Sequence, residues 1–287
     1  MGSLKKRVKK SLKIFVAAIL LLFIVLYIAF VNFSQPLSSK KALKRFKDSA
    51  LKPIVEYRTY NTFKYRTIFV NSNKQLPTLV FVHGTIGSGI DFTAYMKDAD
   101  LQKKFNMLAY DRVGYNYCDQ NHVQESIAFE RDLLDNLISR FAAERTIVVG
   151  YSYGGPIALA TRRKVKKIVL LAPAVYSEVE PMPWAVNFYK WPLTRWLIPR
   201  VWKEASKEKI SHPLDLKKFE YNWKKSSNTV LSIHGSADRI VPYSNSVFLE
   251  KQFLKQQFKL ITVPRTGHDL LWSRFPLIKQ QLLMLYN

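Results

Sequence analysis

The sequence predicts an α/β protein with a mainly parallel sheet, one N-terminal transmembrane helix and a helical insertion late in the chain. From Lys64 onward, short apolar segments alternate with segments of helical periodicity, which is the pattern of a parallel sheet flanked by helices. Nine of the ten glycines stand in loops that follow predicted strands, where tight turns need them. Residues 14–31 form an uncharged apolar run of 18 residues, which is as long as a membrane-spanning helix.

The alternation assigns seven strands and four helices. With 287 residues and 48% hydrophobic content, the chain can bury a large core. We predict strands at 65–70, 78–82, 105–110, 145–149, 166–171, 229–234 and 258–263, and helices at 122–141, 154–163, 243–256 and 269–285.

The N-terminal part divides into a basic tail (residues 1–13), a transmembrane anchor (14–31) and a basic tether (34–52), followed by a folded domain at 53–287. At about 1.5 Å per residue the anchor spans roughly 27 Å, enough for a bilayer core. A cleaved signal peptide is the alternative, but its apolar region would normally be about 7–15 residues long and end in a small-x-small site. More basic residues precede the anchor than follow it, which favours a cytoplasmic N-terminus and a domain outside.

Basic residues dominate the charge of the chain. The formal net charge is +24, and the first 48 residues contain 11 basic residues and one acidic residue. The other lysines are scattered, and no zinc-finger spacing, aromatic RNA-binding motif or recognition helix accompanies them. We therefore expect anionic lipid headgroups, and no nucleic acid, as the partner of this charge. The single cysteine, Cys118, excludes an intrachain disulfide.

A serine stands between two glycines where a predicted strand meets a predicted helix. Ser152 lies in Gly150-Tyr-Ser-Tyr-Gly154, directly after the apolar strand at 145–149. A strand, tight turn and helix in this order are typical of a nucleophile elbow, which exposes the serine hydroxyl at the edge of the sheet. The N–H of Tyr153 would point into the same space from a helix N-terminus.

The histidine after the last predicted strand is the candidate base for Ser152. A serine hydroxyl needs such a base to become a strong nucleophile. His268 stands in a loop at the end of that strand, so we expect it beside Ser152. Of the other candidates, His234 ends a strand and is expected to be structural, whereas His122 and His212 lie in polar or proline-flanked segments.

Asp238 is the candidate acid that would orient this histidine. It stands in the loop after the penultimate predicted strand, in His234-Gly-Ser-Ala-Asp238. The same turn could belong to an aspartate that caps a helix. Glu178 and Glu180, which follow the strand ending at Leu171, are the fallback candidates. The chain order serine, aspartate, histidine is the order that nucleophile-elbow architectures use.

The loop after the strand at 78–82 is the candidate source of a second backbone donor. A negatively charged tetrahedral intermediate needs such donors. The first would be the N–H of Tyr153 and the second that of Thr85, with Ile86 as the second choice. His83, at the start of the loop, is expected to be buried and structural.

Residues 174–225 break the alternation of strands and helices. This insertion contains five of the six tryptophans together with five prolines, and it is too long for an ordinary connection. Its aromatic residues could form the core of a small helical subdomain. They could also roof the Ser152 site as a cap, line an apolar pocket and touch a membrane interface. The two interpretations are compatible.

Five short segments match a known pattern, in order, over residues 65–285. They are His83-Gly-x-x-Gly87, Asp111-Arg-Val-Gly-Tyr115, Gly150-Tyr-Ser-Tyr-Gly-Gly155, His234-Gly-x-x-Asp238-x-x-Val-Pro242 and Gly267-His268. The chain resembles the α/β-hydrolase superfamily, in its serine-nucleophile esterase and lipase-like branch with a cap. The resemblance implies a doubly wound sheet, a cap after the sixth strand, a triad of Ser152, Asp238 and His268, and no cofactor.

Two residues of the elbow refine this resemblance. Because Ser152 stands where dehalogenase-like and epoxide-hydrolase-like enzymes carry aspartate, their chemistry is disfavoured. Tyr151 stands where relatives often have histidine, and we expect it to change the shape of the pocket more than the mechanism.

The sequence therefore predicts a membrane-anchored serine hydrolase that cleaves carboxylic esters through an acyl-enzyme. We expect a monomer that acts on a small-molecule or lipid-like ester with apolar acyl chains and requires no metal. The same triad could instead act on a C–C, amide or thioester bond or transfer an acyl group, since fold and triad do not separate these reactions. A non-catalytic binding module on this scaffold and a polyanion-binding factor are further alternatives.

Overall fold

The chain divides into two compact units, Met1–Gln35 and Pro36–Asn287. The computed structural model describes residues 2–71, 73–119 and 121–286. The boundary between the units falls inside the predicted tether at 34–52.

The first unit consists of one helix, α1 (Gly2–Phe33). Among the described residues, its stretch Arg7–Phe33 is the one candidate that is long and apolar enough to cross a membrane, with a mean hydropathy of 3.2 in its most apolar window. None of that window is buried. A signal sequence near an N-terminus has a similar composition, so this helix alone does not separate an anchor from a signal sequence.

The second unit is built on an eight-stranded, mostly parallel sheet. Its strands are β1 (Ile54–Tyr60), β2 (Phe63–Val70), β3 (Thr78–Val82), β4 (Asn106–Tyr110), β5 (Thr146–Tyr151), β6 (Lys167–Leu171), β7 (Val230–Gly235) and β8 (Phe258–Val263). They are arranged in the order β1-β2-β4-β3-β5-β6-β7-β8. The pairs β1–β2 and β2–β4 are antiparallel, and the other pairs are parallel.

Helices cover both faces of the sheet, which confirms the predicted fold class. The helices of this unit are α2 (Ser39–Lys44), α3 (Thr93–Lys97), α4 (Ala99–Lys104), α5 (Ile127–Ile138), α6 (Gly154–Leu159), α7 (Val186–Lys190), α8 (Pro192–Arg195), α9 (Arg200–Leu216), α10 (Ser244–Gln252), α11 (Leu270–Ser273) and α12 (Phe275–Leu283). Val80 of β3 joins the core on one face, with α5, α6 and α10. Its neighbours Leu79 and Phe81 join the core on the other face, with α3, α4, α11 and α12, because successive side chains of a strand alternate.

The strand β1 is absent from the predicted strands. Its residues are exposed or half-buried throughout, so no apolar run marks it in the sequence. It is held by antiparallel pairing with β2 across a turn in which Asn61 has a φ of 50°, a conformation that asparagine tolerates in tight hairpins.

Two predicted helices are shorter than expected for local reasons. The helix predicted at 122–141 begins at Ile127, because the Ser126 hydroxyl accepts from the N–H of Phe129 at 3.2 Å and caps it. The segment predicted as one helix at 269–285 is divided into α11 and α12. Pro276 stands in the first turn of α12 and has no N–H with which to continue the preceding helix.

Most of the predicted tether belongs to the second unit and packs on its sheet and core. Ala42 and Phe46 are buried, and the carbonyl oxygen of Leu37 accepts from Nη1 of Arg66 at 2.6 Å. The sequence led us to expect a polar, basic tether that could form a helix on the membrane surface. Phe46 attaches the segment, because its side chain joins the core on the Phe81 face of the sheet.

Candidate active site

Ser152 lies in a sharp turn between β5 and α6. Its φ of 54° is in the left-handed region, which is costly for a residue with a side chain and persists only where the surroundings impose it. Here the N–H of Ser152 donates to the carbonyl oxygen of Leu171, and its own carbonyl oxygen accepts from the N–H of Gly155, both at 2.9 Å. The turn is therefore held from both sides.

The two glycines that flank Ser152 are required by close backbone contacts. A Cβ at Gly154 would stand 2.1 Å from the carbonyl oxygen of Val82, and one at Gly150 would stand 2.3 Å from the carbonyl oxygen of Gly154. Both distances are far below any real contact. The pattern of glycine, serine and glycine thus reflects a crossing in which β3, β5 and α6 touch through their backbones.

His268 reaches Ser152 from the loop after β8. Its Nε2 lies 2.9 Å from Oγ of Ser152, and its Nδ1 lies 2.8 Å from Oδ2 of Asp238. These distances are those of hydrogen bonds. The structure therefore brings together the three residues that the sequence selected, although Ser152 and His268 are 116 positions apart in the chain.

Asp238 is buried and remains ionised. Burial raises the pKa of its carboxyl group, but hydrogen bonds from His234, His268 and the N–H of Val241 outweigh burial and hold that pKa well below its usual range. The N–H groups of Ile240 and Val241 each donate to Oδ1 at 2.9 Å. Oδ2 is thereby left for the imidazole.

His234 supports this carboxylate and is not positioned as a base. Its Nε2 lies 3.4 Å from Oδ2 of Asp238 and 2.9 Å from the carbonyl oxygen of Val241, while its Nδ1 lies 2.7 Å from Oγ of Ser246. The ring is fully buried. Its position agrees with the structural role expected for it.

The fallback acids make other contacts. Glu178 accepts a hydrogen bond from the hydroxyl of Tyr176, and Glu180 pairs with the ammonium of Lys209 on α9. Burial raises the pKa of Glu180, although Lys209 and the nearby His268 both lower it. Glu180 is thus close enough to His268 for an electrostatic interaction. The carboxylate that is hydrogen-bonded to the His268 ring is Asp238.

The two predicted backbone donors belong to segments that meet at Ser152. Tyr153 follows it directly, and the loop that carries Thr85 passes so close that a Cβ at Gly84 would stand 3.2 Å from Oγ of Ser152. Within the described ranges, the N–H groups of Tyr153 and Thr85 have no hydrogen-bond acceptor. An N–H beside a nucleophile and without an acceptor is suited to bind a developing oxyanion.

His83 holds the start of that loop. Its Nδ1 donates to the carbonyl oxygen of Gly84 at 2.7 Å, and its Nε2 accepts from the N–H of Arg112 at 2.9 Å. Burial, and then the charge of Arg112, lower the pKa of His83 well below its usual value, so the ring is neutral. This neutral, fully bonded histidine joins the ends of β3 and β4, as a structural residue would.

Comparison with known proteins identifies the family. A model of the alpha/beta hydrolase family matches residues 79–276, a range that contains Ser152, Asp238 and His268. The chain belongs to the alpha/beta hydrolase family. The curated relatives are distant, and the chain spans about a third of their length. An uncharacterized protein of Mycobacterium tuberculosis, for example, is 25% identical over 120 residues, which are 42% of this chain and 33% of that protein.

Solved structures share the fold of this chain at low sequence identity. An esterase from Exiguobacterium antarcticum has a TM-score of 0.61 at 17% identity and covers 78% of this chain and 95% of its own. The naproxen esterase of Bacillus subtilis has a TM-score of 0.61 at 16% identity over 86% of this chain and 95% of its own. A membrane phospholipase A described as a bacterial virulence factor has a TM-score of 0.59 at 13% identity over 98% of this chain and 97% of its own.

Tyr151 contacts His268 more directly than the sequence suggested. Its ring stacks on that of His268 with 5.1 Å between centroids, and its hydroxyl donates to the carbonyl oxygen of His268 at 2.7 Å. Trp272 packs edge-on against the Tyr151 ring. Tyr151 therefore holds the histidine loop in place, which sequence reasoning missed because the contact joins β5 to a loop 117 residues later.

Sequence reasoning also missed a buried polar cluster under the insertion. Glu208, on α9, forms an ion pair with Arg112 and accepts from the hydroxyls of Tyr115 and Thr85 at 2.9 and 2.7 Å. The guanidinium of Arg112 in turn lies 4.6 Å from the centroid of the Tyr153 ring. The segment Asp111-Arg-Val-Gly-Tyr115 signals this cluster in the sequence, but nothing local marks Glu208.

Proposed function

We propose that this protein is a membrane-anchored serine hydrolase that cleaves carboxylic esters through an acyl-enzyme. The observation that carries the proposal is the continuous chain of hydrogen bonds from Oγ of Ser152 to Nε2 of His268, 2.9 Å, and from Nδ1 to Oδ2 of Asp238, 2.8 Å. A triad of this kind requires neither a metal nor a cofactor for ester hydrolysis.

Acylation begins when Ser152 attacks the ester carbonyl carbon and His268 takes its hydroxyl proton. The carbonyl oxygen becomes an oxyanion, to which the N–H groups of Tyr153 and Thr85 donate. As the tetrahedral intermediate collapses, the bond from carbon to the alkoxy oxygen breaks, and His268 gives its proton to the leaving alcohol. Water then attacks the acyl-enzyme by the same route and restores Ser152.

Asp238 orients His268 and stabilises its protonated form. An ionised carboxylate at Nδ1 selects the tautomer whose Nε2 accepts the proton of Ser152. The depressed pKa of Asp238 keeps this carboxylate ionised over the whole range in which an imidazole is an effective base.

The insertion at 174–225 supports apolar, lipid-like ester substrates and a role as a cap. Trp184, Trp191 and Trp196 are 74%, 55% and 69% exposed, which is unusual for so large an apolar side chain. Between Glu180 and Glu204 the sequence has four basic residues and no acidic one. Tryptophan and basic side chains together are typical of surfaces that contact lipid headgroups.

We further propose that α1 is an uncleaved anchor, with the N-terminus cytoplasmic and the hydrolase domain outside. Its most apolar window has a mean hydropathy of 3.2, and basic residues precede it. All groups assigned to the chemistry come from one chain, so a monomer suffices. Protease accessibility of the domain in intact cells tests the orientation.

The same constellation could act on amide, thioester or C–C bonds or transfer an acyl group to an acceptor other than water. Esters are favoured because the exposed tryptophans of the insertion and the apolar helix α1 suit lipid-like substrates. A panel of esters, thioesters and amides with equal acyl groups ranks these bonds by kcat/KM.

The decisive experiment labels the full-length protein with a fluorophosphonate probe and measures hydrolysis of esters of increasing acyl length. We expect wild-type protein to be labelled, and Ser152→Ala to lose labelling and to lose hydrolysis by a factor of about 10³ or more. Ser177→Ala is the matched control, because Ser177 is also buried but bonds to Glu220. Wild-type protein that resists the probe, or Ser152→Ala that hydrolyses as well as wild type, overturns the proposal.

A further inference from the structure

A carboxylate of the insertion is buried against the loop beside Ser152. The side chain of Glu208 is 2% exposed, and burial of a carboxylate is costly unless donors satisfy it. Glu208 has three donors: the guanidinium of Arg112, the hydroxyl of Tyr115 at 2.9 Å and the hydroxyl of Thr85 at 2.7 Å. All three belong to the sheet's side of the interface, whereas Glu208 belongs to α9.

The contacts of Glu208 lead to both residues whose N–H groups would bind the oxyanion. Thr85 is held directly, through its own hydroxyl. Tyr153 is reached through Arg112, whose guanidinium lies against the Tyr153 ring at 4.6 Å from the centroid. One carboxylate therefore contacts the side chain of one donor residue and fixes the cation that packs on the other.

The loop that carries Thr85 needs such support. The next residue, Ile86, has a φ of 57°, and a β-branched residue in the left-handed region is strained. Ile86 is also 40% exposed, so core packing alone does not hold it. Strain of this kind persists only when surrounding bonds fix the backbone, and the bond from Thr85 to Glu208 is one of them.

We propose that Glu208 is a positioning residue for the oxyanion-binding N–H groups, so that the site is complete only when the insertion is seated on the sheet. This inference rests on the proposed function. Donors that are held in place before reaction stabilise the transition state most. Displacement of α9 would remove the carboxylate from Thr85 and leave the guanidinium of Arg112 buried without its partner.

The competing explanation is that Glu208 only attaches α9 to the domain, and the same helix offers a control. Glu204, one turn earlier, also has a side chain that is 2% exposed. It accepts from the N–H of Val123 at 2.9 Å and lies 2.8 Å from Nδ1 of His122 and from Nζ of Lys207. Glu204 therefore attaches the same helix to the sheet side of the interface without contacting Thr85 or Arg112.

The experiment compares Glu208→Gln with Glu204→Gln in the full-length protein, with a short soluble ester as substrate. We measure kcat, KM, the second-order rate of fluorophosphonate labelling and Tm. Glutamine keeps the shape of glutamate but removes the charge that pairs with Arg112 and points an amide N–H₂ at one of three donors. We expect Glu208→Gln to lower kcat and the labelling rate about 10- to 100-fold with KM within about twofold, because the loss is one of transition-state stabilisation.

We expect Glu204→Gln to change kcat by less than about threefold, even if its Tm falls as far as the Tm of Glu208→Gln. Equal losses of kcat in the two variants, in proportion to their losses of Tm, would mean that both residues only attach the helix. That result overturns the inference.

A second pair of variants keeps the test open if Glu208→Gln does not fold. Thr85→Val removes the hydroxyl but leaves the backbone N–H and the pair of Glu208 with Arg112, whereas Thr85→Ser restores the hydroxyl. We expect a lower kcat in the first and recovery in the second. Where Glu208→Gln does fold, the double variant with Thr85→Val should lose less than the sum of the two single losses, since both changes break one interaction.

The outcomes separate this inference from the proposed function. If wild-type hydrolysis depends on Ser152 but kcat is unchanged in Glu208→Gln and in Thr85→Val, only the role of Glu208 is wrong. If wild-type protein neither labels nor hydrolyses esters, the proposed function itself is wrong.

Discussion

The edge of the sheet and the tip of the insertion treat their side chains in opposite ways. At the sheet, Arg66, His83, Asp111 and Arg112 are polar or charged and fully buried. At the tip, residues 182–197 carry large apolar side chains that are mostly exposed, and within α7 and α8 the structure buries Val186 alone. The sheet edge buries polar and charged side chains, and the tip of the insertion exposes large apolar side chains.

This difference suits the two regions to different roles: the sheet edge to the proposed reaction, and the tip of the insertion to contact with a substrate or a surface. Buried polar groups must find partners, and each partner restricts geometry, which a reaction of defined atoms needs. Exposed apolar groups have no such partner inside the protein and gain free energy only from an apolar environment outside it. Changes at the sheet should therefore alter rate or stability, and changes at the tip should alter only the use of apolar substrates.

The largest effect that would test this division is expected at Asp238. Asp238→Asn should lower kcat/KM by about 10⁴, since an asparagine favours the wrong tautomer of His268. Glu180→Gln is the matched control, because Glu180 has a side chain 2% exposed near the same histidine, and its effect should be small. Full activity in Asp238→Asn together with loss in Glu180→Gln or Glu178→Gln would assign the acid to the loop after β6 instead.

A smaller effect, on stability, is expected at Glu130 of α5. This carboxyl is buried with one oxygen unpartnered, and burial raises its pKa from 4.5 to about 7 although Arg112 opposes the shift. Between these two values the folded state binds more protons at Glu130 than the unfolded state does, so the contribution of Glu130 to stability falls as pH rises from about 5 to about 7. The difference amounts to about 3 kcal/mol.

Glu130→Gln should remove this contribution, show a smaller pH dependence than wild type and be more stable than wild type at pH 8, as measured by urea unfolding at pH 5 and pH 8. Glu144 is exposed, so Glu144→Gln should keep the pH dependence of wild type. A pH dependence of Glu130→Gln equal to that of wild type would show that this buried group is not the source.

The smallest effect is expected at the exposed tryptophans of the insertion. Replacing Trp184, Trp191 and Trp196 together by serine should leave the free energy of unfolding within about 1 kcal/mol of wild type, since these side chains are already exposed. Hydrolysis of a long-chain ester in anionic vesicles should fall about tenfold, equivalent to about 1.4 kcal/mol, while hydrolysis of a short soluble ester stays constant.

Leu254→Ser is the control for this variant, because Leu254 is 64% exposed and lies outside the insertion. It should affect neither substrate. Equal losses on both esters in the triple variant would mean that the tryptophans support the site itself, and the division between sheet and insertion would not hold.

Strands of the sheet were predictable where they are buried on both faces, because such strands have a continuous apolar sequence. All five residues of β3 are buried, and the prediction placed that strand at the observed residues. β1 has no buried residue, and it exists because β2 offers an edge to pair with. A strand defined by its partner's backbone leaves little trace in its own side chains.

The candidate site was predictable where local geometry demands rare residues. Ser152 lies in a crossing that only glycine tolerates on either side, and His268 and Asp238 follow strands whose carboxyl ends share one edge. Tyr151 and Glu208 were not predictable, because an ordinary tyrosine and a helical glutamate acquire their roles from contacts with His268, 117 positions away, and with Thr85, 123 positions away.

By itself, then, the sequence determined the α/β class, the family, the candidate nucleophile and its two partners, and a segment apolar enough to cross a membrane. Periodicity, tight turns and backbone crossings are local constraints, and local constraints leave local patterns. Only the tertiary structure decided which side chains hold the loops that carry His268 and Thr85, and which large apolar side chains remain exposed. Those properties depend on which distant elements come into contact. The identity of a glutamate or a tryptophan does not by itself indicate whether its side chain is buried or exposed.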